Sequence, residues 1–319
     1  MNCSVEMRLL GRTNIAVSRL CFGTLTIGPL QANLPVHEGA SLIRAAIDRG
    51  INFFDTAEIY GTYPYIRAAI SGMNRSDVVI ASRSYDYTYE GMERSVAFAL
   101  QSMNVDYLDL FLLHEQESAL TLIGHREAVR YLEDARKAGI IRAIGVSTHY
   151  IQCVRAAALM PEIDVIHPLL NYSGIGIADG TVQDMLQAIE LAHSQRKGIY
   201  SMKAIGGGAL LRDVEGALKF AIDQPYVDSV AVGIKTLDEL EMDLAIFQGR
   251  EPDESLREKT CLNKTLIIEP WCTGCGKCVE RCSHGALEIV SGRVEVDGAK
   301  CVLCGYCQAV CPEVCMKVV

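Results

Sequence analysis

The sequence predicts a (β/α)8 barrel followed by a small α+β domain, and three observations carry that prediction. Eight short apolar runs recur between residues 19 and 234, each followed by a turn and a stretch with helical periodicity. No glycine-rich turn follows the first run, as a doubly wound open sheet would ask. Beyond residue 270 the composition changes, and eight of the 13 cysteines crowd between Cys272 and Cys311.

The runs are RLCFGT (19–24), INFFDTA (51–57), VVIASR (78–83), LDLFLLH (108–114), AIGVST (143–148), VIHPLLN (165–171), IYSMKAI (199–205) and SVAVGI (229–234). Between the first two, Val36–Arg49 places Leu42, Ile43, Ala46 and Ile47 on one helix face, with Gly50 as its stop. After the last, Thr236 and Glu239 have the T-x-x-E spacing of a capping box. Eight strand–helix units in about 235 residues are what a barrel of the TIM type requires. Residues 248–260 are polar and charged, with Gly249 and Pro252, and read as a linker or short surface helix. The expected domains are therefore 1–258 and 259–319.

At 319 residues, half of them hydrophobic, the chain can bury one large core and one small one. A net charge of −9 and a pI near 5.3 argue against nucleic acid or an anionic membrane as partner. No apolar run approaches the ~20 residues of a membrane span. The N-terminal MNCSVEMRLLGRTN lacks the apolar stretch of a secretory signal, so a cytoplasmic location is expected.

In that setting clustered cysteines read as metal ligands rather than disulfides. Cys272-x2-Cys275-x2-Cys278-x3-Cys282 recurs 29 residues later as Cys301-x2-Cys304-x2-Cys307-x3-Cys311-Pro312. A C-x2-C-x2-C loop can give three thiolates to one compact cube of iron and sulfur, and a distant cysteine closes the site. Zinc ribbons use paired C-x2-C knuckles and have no role for a third cysteine at that spacing. The segment resembles the two-cluster bacterial ferredoxins, in which the fourth cysteine of each run serves the other cluster. That resemblance implies Cys272, Cys275, Cys278 and Cys311 for one [4Fe–4S] cluster, and Cys301, Cys304, Cys307 and Cys282 for a second. Ser283 stands where the family motif has the proline kept at Pro312. Between the runs, ALEIVSGRVEVDG reads as strand, Ser-Gly turn and strand. Cys3, Cys21, Cys153, Cys261 and Cys315 are expected to pack as small hydrophobes.

Function in such a barrel is read at the C-terminal ends of the strands. Those ends carry Thr24, Asp55, Arg83, His114, Ser147, Asn171 and Lys203, too many polar groups for chance caps. With LGRTNIAVSRLCFGT, NFFDTAEIYG, YLDLFLLH and IRAIGVST, the barrel resembles the aldo-keto reductases over essentially its whole length. That family's tetrad of Asp, Tyr, Lys and His maps onto Asp55, Tyr60 and His114, with Arg83 in the lysine's place. A tyrosine is too weak an acid near neutrality unless a cation favours its ionised form. Arg83 would supply that cation on a planar fork, anchored by Asp55, and a neutral His114 would orient the substrate oxygen.

The resemblance also implies a nicotinamide site. Ser147 and Thr148 stand where the family has a Ser-Asn pair, His167 where it has a glutamine, and Met202 where an aromatic stacks on the ring. Thr24 and Lys203 are further candidates. The GIKT turn before the capping-box helix offers Lys235 and the N–H groups from Thr236 onward to a phosphate. Glu239 beside Asp238 would repel a 2′-phosphate and so favours NAD(H) over NADP(H).

The expected function is an iron–sulfur oxidoreductase using NAD(P)(H) to interconvert a carbonyl and an alcohol. Tyr60 is its proton donor, and the clusters relay electrons to or from a protein partner. The alternative is a barrel without nicotinamide chemistry, serving as a ferredoxin-linked electron-transfer or docking module of a redox complex. Short loops imply an open mouth suited to a bulky substrate or to a protein closing over it.

Overall fold

A computed structural model describes residues 5–261, 264–301, 303 and 305–318. Its centre is a closed parallel barrel. A hairpin of β1 (Met7–Leu9) and β2 (Ala16–Ser18) precedes the barrel strands β3 (Leu20–Gly23), β4 (Phe53–Asp55), β5 (Val79–Ser84) and β6 (Leu108–Leu113). Strands β7 (Ile141–Thr148), β8 (Val165–Pro168), β9 (Gly198–Ser201) and β10 (Ser229–Gly233) complete the ring, in which β10 pairs with β3. Each of the eight apolar runs thus became a barrel strand.

Successive side chains on a strand face opposite ways, and the apolar runs use both directions. Cys21, Phe53, Leu110, Leu112 and Tyr200 fill the barrel interior, joined by Leu10, Ile15 and Val17 of the hairpin, which plugs the floor. Phe22, Phe54, Phe111 and Leu113 point outward into the layer shared with the helices. The plug seats closely: a Cβ on Gly11 would lie 2.2 Å from Gly198 N.

The predicted first helix runs Val36–Asp48, stopped by Gly50 at φ +90°. Helix Leu237–Phe247 is capped by Thr236 Oγ1, which accepts from Glu239 N at 3.1 Å. The charged stretch near residue 255 forms helix Glu254–Cys261, tied to the barrel by Arg257 on Glu215 at 2.6 Å. No helix among the described residues is long and apolar enough to cross a membrane.

The cysteine-rich segment folds as two short sheets. β12 (Leu287–Val290) and β13 (Arg293–Val296) form the predicted hairpin around Ser291 and Gly292, both at positive φ. β11 (Leu266–Ile268) pairs antiparallel with β14 (Met316–Val318), closing the segment end to end. This unit sits on the barrel loop after β9. Gln308 Nε2 donates to Gly207 O at 2.7 Å, and Gly208 and Gly305 allow backbone to approach backbone at Val318 and Ala209. The mouth left open by short barrel loops is therefore covered by the chain's own C-terminal segment.

Candidate active site and cluster sites

The polar strand ends converge as the barrel geometry demands. Asp55 ends β4, Arg83 lies in β5, His114 follows β6, and Tyr60 sits in a short 3-10 turn at Glu58–Tyr60. Arg83 Nη1 and Nη2 donate to the two Asp55 carboxylate oxygens at 2.6 and 2.8 Å. Nη2 also donates to Tyr60 OH at 2.9 Å. The His114 ring stands edge-on to Tyr60 with centroids 5.9 Å apart, and Tyr85 stacks on its other side at 4.2 Å.

Burial dominates the electrostatics here. It raises the Tyr60 phenol above its ordinary value of 10.0; Arg83 pulls it down, but not enough to reverse the shift. The expectation that the cation leaves this tyrosine a stronger acid is therefore not met. The Arg83 guanidinium stays charged: burial is the largest single influence and opposes the charge, but Asp55, Tyr60 and Tyr200 together outweigh it. Burial, then Arg83, holds His114 well below 6.5, so its imidazole is neutral at physiological pH, and its Nδ1 has no hydrogen-bond partner. Neutral His114 is the state that can hydrogen-bond a substrate oxygen.

A fifth member escaped the sequence reading. Tyr200 OH donates to Asp55 Oδ1 at 3.1 Å, and its ring stacks on His167 at 3.8 Å. Alternation along IYSM turns Tyr200 into the barrel, and that period was the available signal.

These groups open on one cleft of about 1480 Å3, lined by Tyr60, Arg83, Tyr85, His114, Ser147, His149, Met202 and Lys203 from the barrel. Its other wall is Trp271, Tyr306, Cys311, Pro312, Glu313 and Lys317 from the C-terminal segment.

The remaining candidates divide. Ser147, Met202 and Lys203 line the cleft. Thr24 lies beneath it, its hydroxyl bonded to Asp55 O at 3.0 Å and Thr62 Oγ1 at 2.9 Å. Thr148 Oγ1 accepts from Tyr150 N at 2.9 Å. His167 is buried in the barrel with Nδ1 2.6 Å from Tyr200 O and its pKa pushed down to about 4, first by burial. Asn171 braces its own loop through Ile175. Lys235 and Thr236 do not line the cleft, and Lys235 N donates to Glu239 Oε2 at 2.8 Å. Glu239 also pairs with Lys264. The helix end expected to receive a phosphate thus holds a carboxylate of its own, bonded to Lys235 N and Lys264.

The cysteines do fit clusters. Cys272, Cys275, Cys278 and Cys311 face one small cavity, together with Cys315. Cys282, Cys301 and Cys307 face another; Cys304 lies outside the described residues. Gly274 and Gly276, both at positive φ, shape the loop between the first three, and Ala286 N donates to Cys282 Sγ at 3.3 Å. Cys21 and Cys153 are buried in the core, as expected of packing cysteines. Cys315 is buried with its sulfur 3.4 Å from that of Cys311.

Comparison with known proteins agrees. Residues 19–217 match the aldo/keto reductase family, and residues 271–315 match a 4Fe-4S dicluster domain. L-galactose dehydrogenase of Arabidopsis thaliana is 22% identical over 307 residues, covering 83% of this chain and 95% of that protein. The 6-dehydroglucose reductase of Novosphingobium aromaticivorans is 30% identical over 160 residues, 44% of this chain and 50% of that one. Among solved structures, an aldo-keto reductase of Pseudomonas aeruginosa superposes with a TM-score of 0.65 at 27% identity, covering 76% of this chain and 95% of its own. One from Bacillus halodurans shares the fold, with a TM-score of 0.64 at 19% identity over 80% of this chain and 94% of its own. The chain is an oxidoreductase that belongs to the aldo/keto reductase family and carries a 4Fe-4S dicluster domain at its C-terminal end.

Proposed function

We propose that the protein interconverts a carbonyl and an alcohol in the cleft, with electrons passing through the cluster domain, residues 259–319, that roofs the barrel, residues 1–258. One observation carries this reading: Cys311 lines the same cleft as Tyr60, Arg83 and His114. Cys272, Cys275, Cys278 and Cys311, and Cys282, Cys301, Cys304 and Cys307, would hold two [4Fe–4S] clusters, which would supply electrons one at a time. Reduction of a carbonyl takes two electrons and two protons. Tyr60 OH holds the proton that goes to the substrate oxygen, and the hydrogen on carbon comes from a hydride donor or, with the clusters as donor, from water. Arg83 and Asp55 fix the phenol in place, and neutral His114 orients that oxygen.

A nicotinamide, where bound, supplies hydride. Ser147 and Met202 are the cleft residues available to it, and Glu239 at the helix end favours NAD(H) over NADP(H). The same Glu239 supports a second reading. With its carboxylate on Lys235 N and Lys264, the barrel works without nicotinamide, as a ferredoxin-linked electron-transfer or docking module.

Anaerobic titration of the cluster-loaded protein separates the two. NADH bleaching the cluster absorbance in a saturable way supports the nicotinamide route. Bleaching by a reduced viologen alone, followed by carbonyl reduction that Tyr60→Phe abolishes, supports the cluster-fed route. Reduction unaffected by Tyr60→Phe refutes the barrel chemistry altogether.

A further inference from the structure

In the closed ring β9 lies four strands from β5 in either direction, so Lys203, just after β9, stands across the mouth from Arg83. Its ammonium lines the cleft, and its partner is the ring of His149, with Nζ and Nε2 3.1 Å apart. No carboxylate among the described residues lies within salt-bridge distance of it. The other buried cations that line the cleft are matched: Arg83 by Asp55 and Lys317 by Glu269, the latter at 2.7 Å. His149 and His114 are held neutral, first by burial. Glu115 carries the facing negative charge, but it is exposed and accepts from Tyr85 OH. A part-buried ammonium paired only with a neutral ring is costly unless an anion joins it. Its backbone is also in the left-handed region at φ +57°, a strain that persists where surroundings fix a side chain for a task.

We propose that Lys203 anchors an anionic group, a carboxylate or phosphate, on the substrate, while its carbonyl or alcohol carbon lies at Tyr60 and His114. The inference rests on the carbonyl–alcohol reading of the cleft and names the substrate class that fits it: an oxo or hydroxy acid, or its phosphorylated counterpart, long enough to cross the barrel mouth. His149 is a positioning residue, accepting one ammonium proton through Nε2 and aiming the other two into the cleft. Burial, then Lys317, pulls the Lys203 pKa down to about 8, so the anchor is charged below that pH and lost as pH rises through it.

The test uses the full cluster-loaded chain and calorimetric binding of benzoate, phenyl phosphate and uncharged benzamide. Wild type is expected to bind one of the anions about tenfold or more tightly than benzamide. Lys203→Met should remove that advantage, Lys203→Arg should restore most of it, and benzamide should not distinguish the three. Benzoate ahead of phenyl phosphate assigns a carboxylate; the reverse order assigns a phosphate. Anion affinity in wild type should fall between pH 7 and pH 9. Iron content reports whether each variant folds, and Lys203→Gln replaces Lys203→Met if it does not. Anion affinity unchanged within twofold in both, or flat across that pH range, overturns the anchor. Tyr60→Phe keeps anion binding, so a protein that binds benzoate through Lys203 yet reduces no carbonyl refutes the reaction and leaves the anchor standing.

Discussion

Arg83 holds Asp55 with both terminal nitrogens and lends only the second of them to Tyr60, at 2.9 Å. The guanidinium is thereby shared, which explains why burial wins over the cation and leaves the Tyr60 phenol raised. The sign for catalysis follows. Tyr60 keeps its proton through pH 10, and His114, held well below 6.5, has already lost its own at neutrality. Neither group titrates between those limits. Reduction of an uncharged carbonyl should therefore show a flat kcat/KM from about pH 6.5 to pH 10 and decline above it. The reverse oxidation, which needs the ionised phenol, should climb throughout. A reduction rate that halves between pH 7 and pH 9 would assign the proton to another group.

Removal of the phenol oxygen tests the same assignment by rate. Tyr60→Phe should slow turnover about 10²–10⁴-fold with little change in substrate binding. Arg83→Lys, which trades the fork for a point charge, frees the cation from its two-pronged hold on Asp55. It should keep measurable activity, whereas Arg83→Met should not. Steady-state kinetics on the three variants decides this, and equal losses in the two Arg83 variants would give the fork, not the charge, the main role.

Much of this site was legible because it depends on local pattern. A strand's apolar run and its polar last residue are neighbours in sequence, so Asp55, Arg83 and His114 could be placed at one mouth from the barrel alone. What escaped was set by long-range packing. Tyr200 meets Asp55 across 145 residues, and β11 finds β14 only because the cluster loops bring the ends of the segment together. His167 stands one residue before the end of β8, as Ser147 does in β7, yet it stacks on Tyr200 instead of lining the cleft. The capping box at Thr236 was half right. Glu239 reaches back, but to Lys235 N and to Lys264, a residue beyond the helix that no local rule connects.

Cys311 and Cys315 have sulfurs 3.4 Å apart, and spacing alone assigns one as ligand and the other as packing. Cys311→Ala should lose one cluster, lowering iron from about eight atoms per chain to about four. Cys315→Ala should keep all of it and cost only a small cavity in the core. Iron analysis with electron paramagnetic resonance of the reduced protein reads both. Full iron in Cys311→Ala together with loss in Cys315→Ala would exchange their roles.

Glu239 offers a test of where the phosphate end of a dinucleotide would lie. Its carboxylate occupies the positive end of helix Leu237–Phe247, where an anion would gain from free N–H groups and the helix dipole. Glu239→Gln removes the charge while keeping a group able to accept from Lys235 N, and it leaves Lys264 without its partner. NADPH affinity should rise by roughly fivefold or more, and NADH affinity by less. Fluorescence titration checks it. Identical affinities before and after would place the dinucleotide, if it binds, away from this helix.

The seat of the cluster domain offers a test of the electron route that leaves both chemistries intact. Gly208 has φ +97°, and a Cβ there would lie 2.6 Å from Val318 O, backbone against backbone with nothing to yield. Gly207, at φ +65°, has nothing within 4 Å. Alanine at Gly207 costs only the usual left-handed penalty, whereas Gly208→Ala lies outside that well and also pushes β14 and the cluster loops off the barrel. Iron content should match in the two variants. Carbonyl reduction driven by a reduced viologen should fall about tenfold further in Gly208→Ala than in Gly207→Ala, because the wall formed by Cys311 moves away from Tyr60 and His114. Turnover driven by a nicotinamide bound wholly within the barrel would be equal in both. Equal rates with the viologen as donor would mean that contact between the cluster domain and this loop is dispensable for delivery.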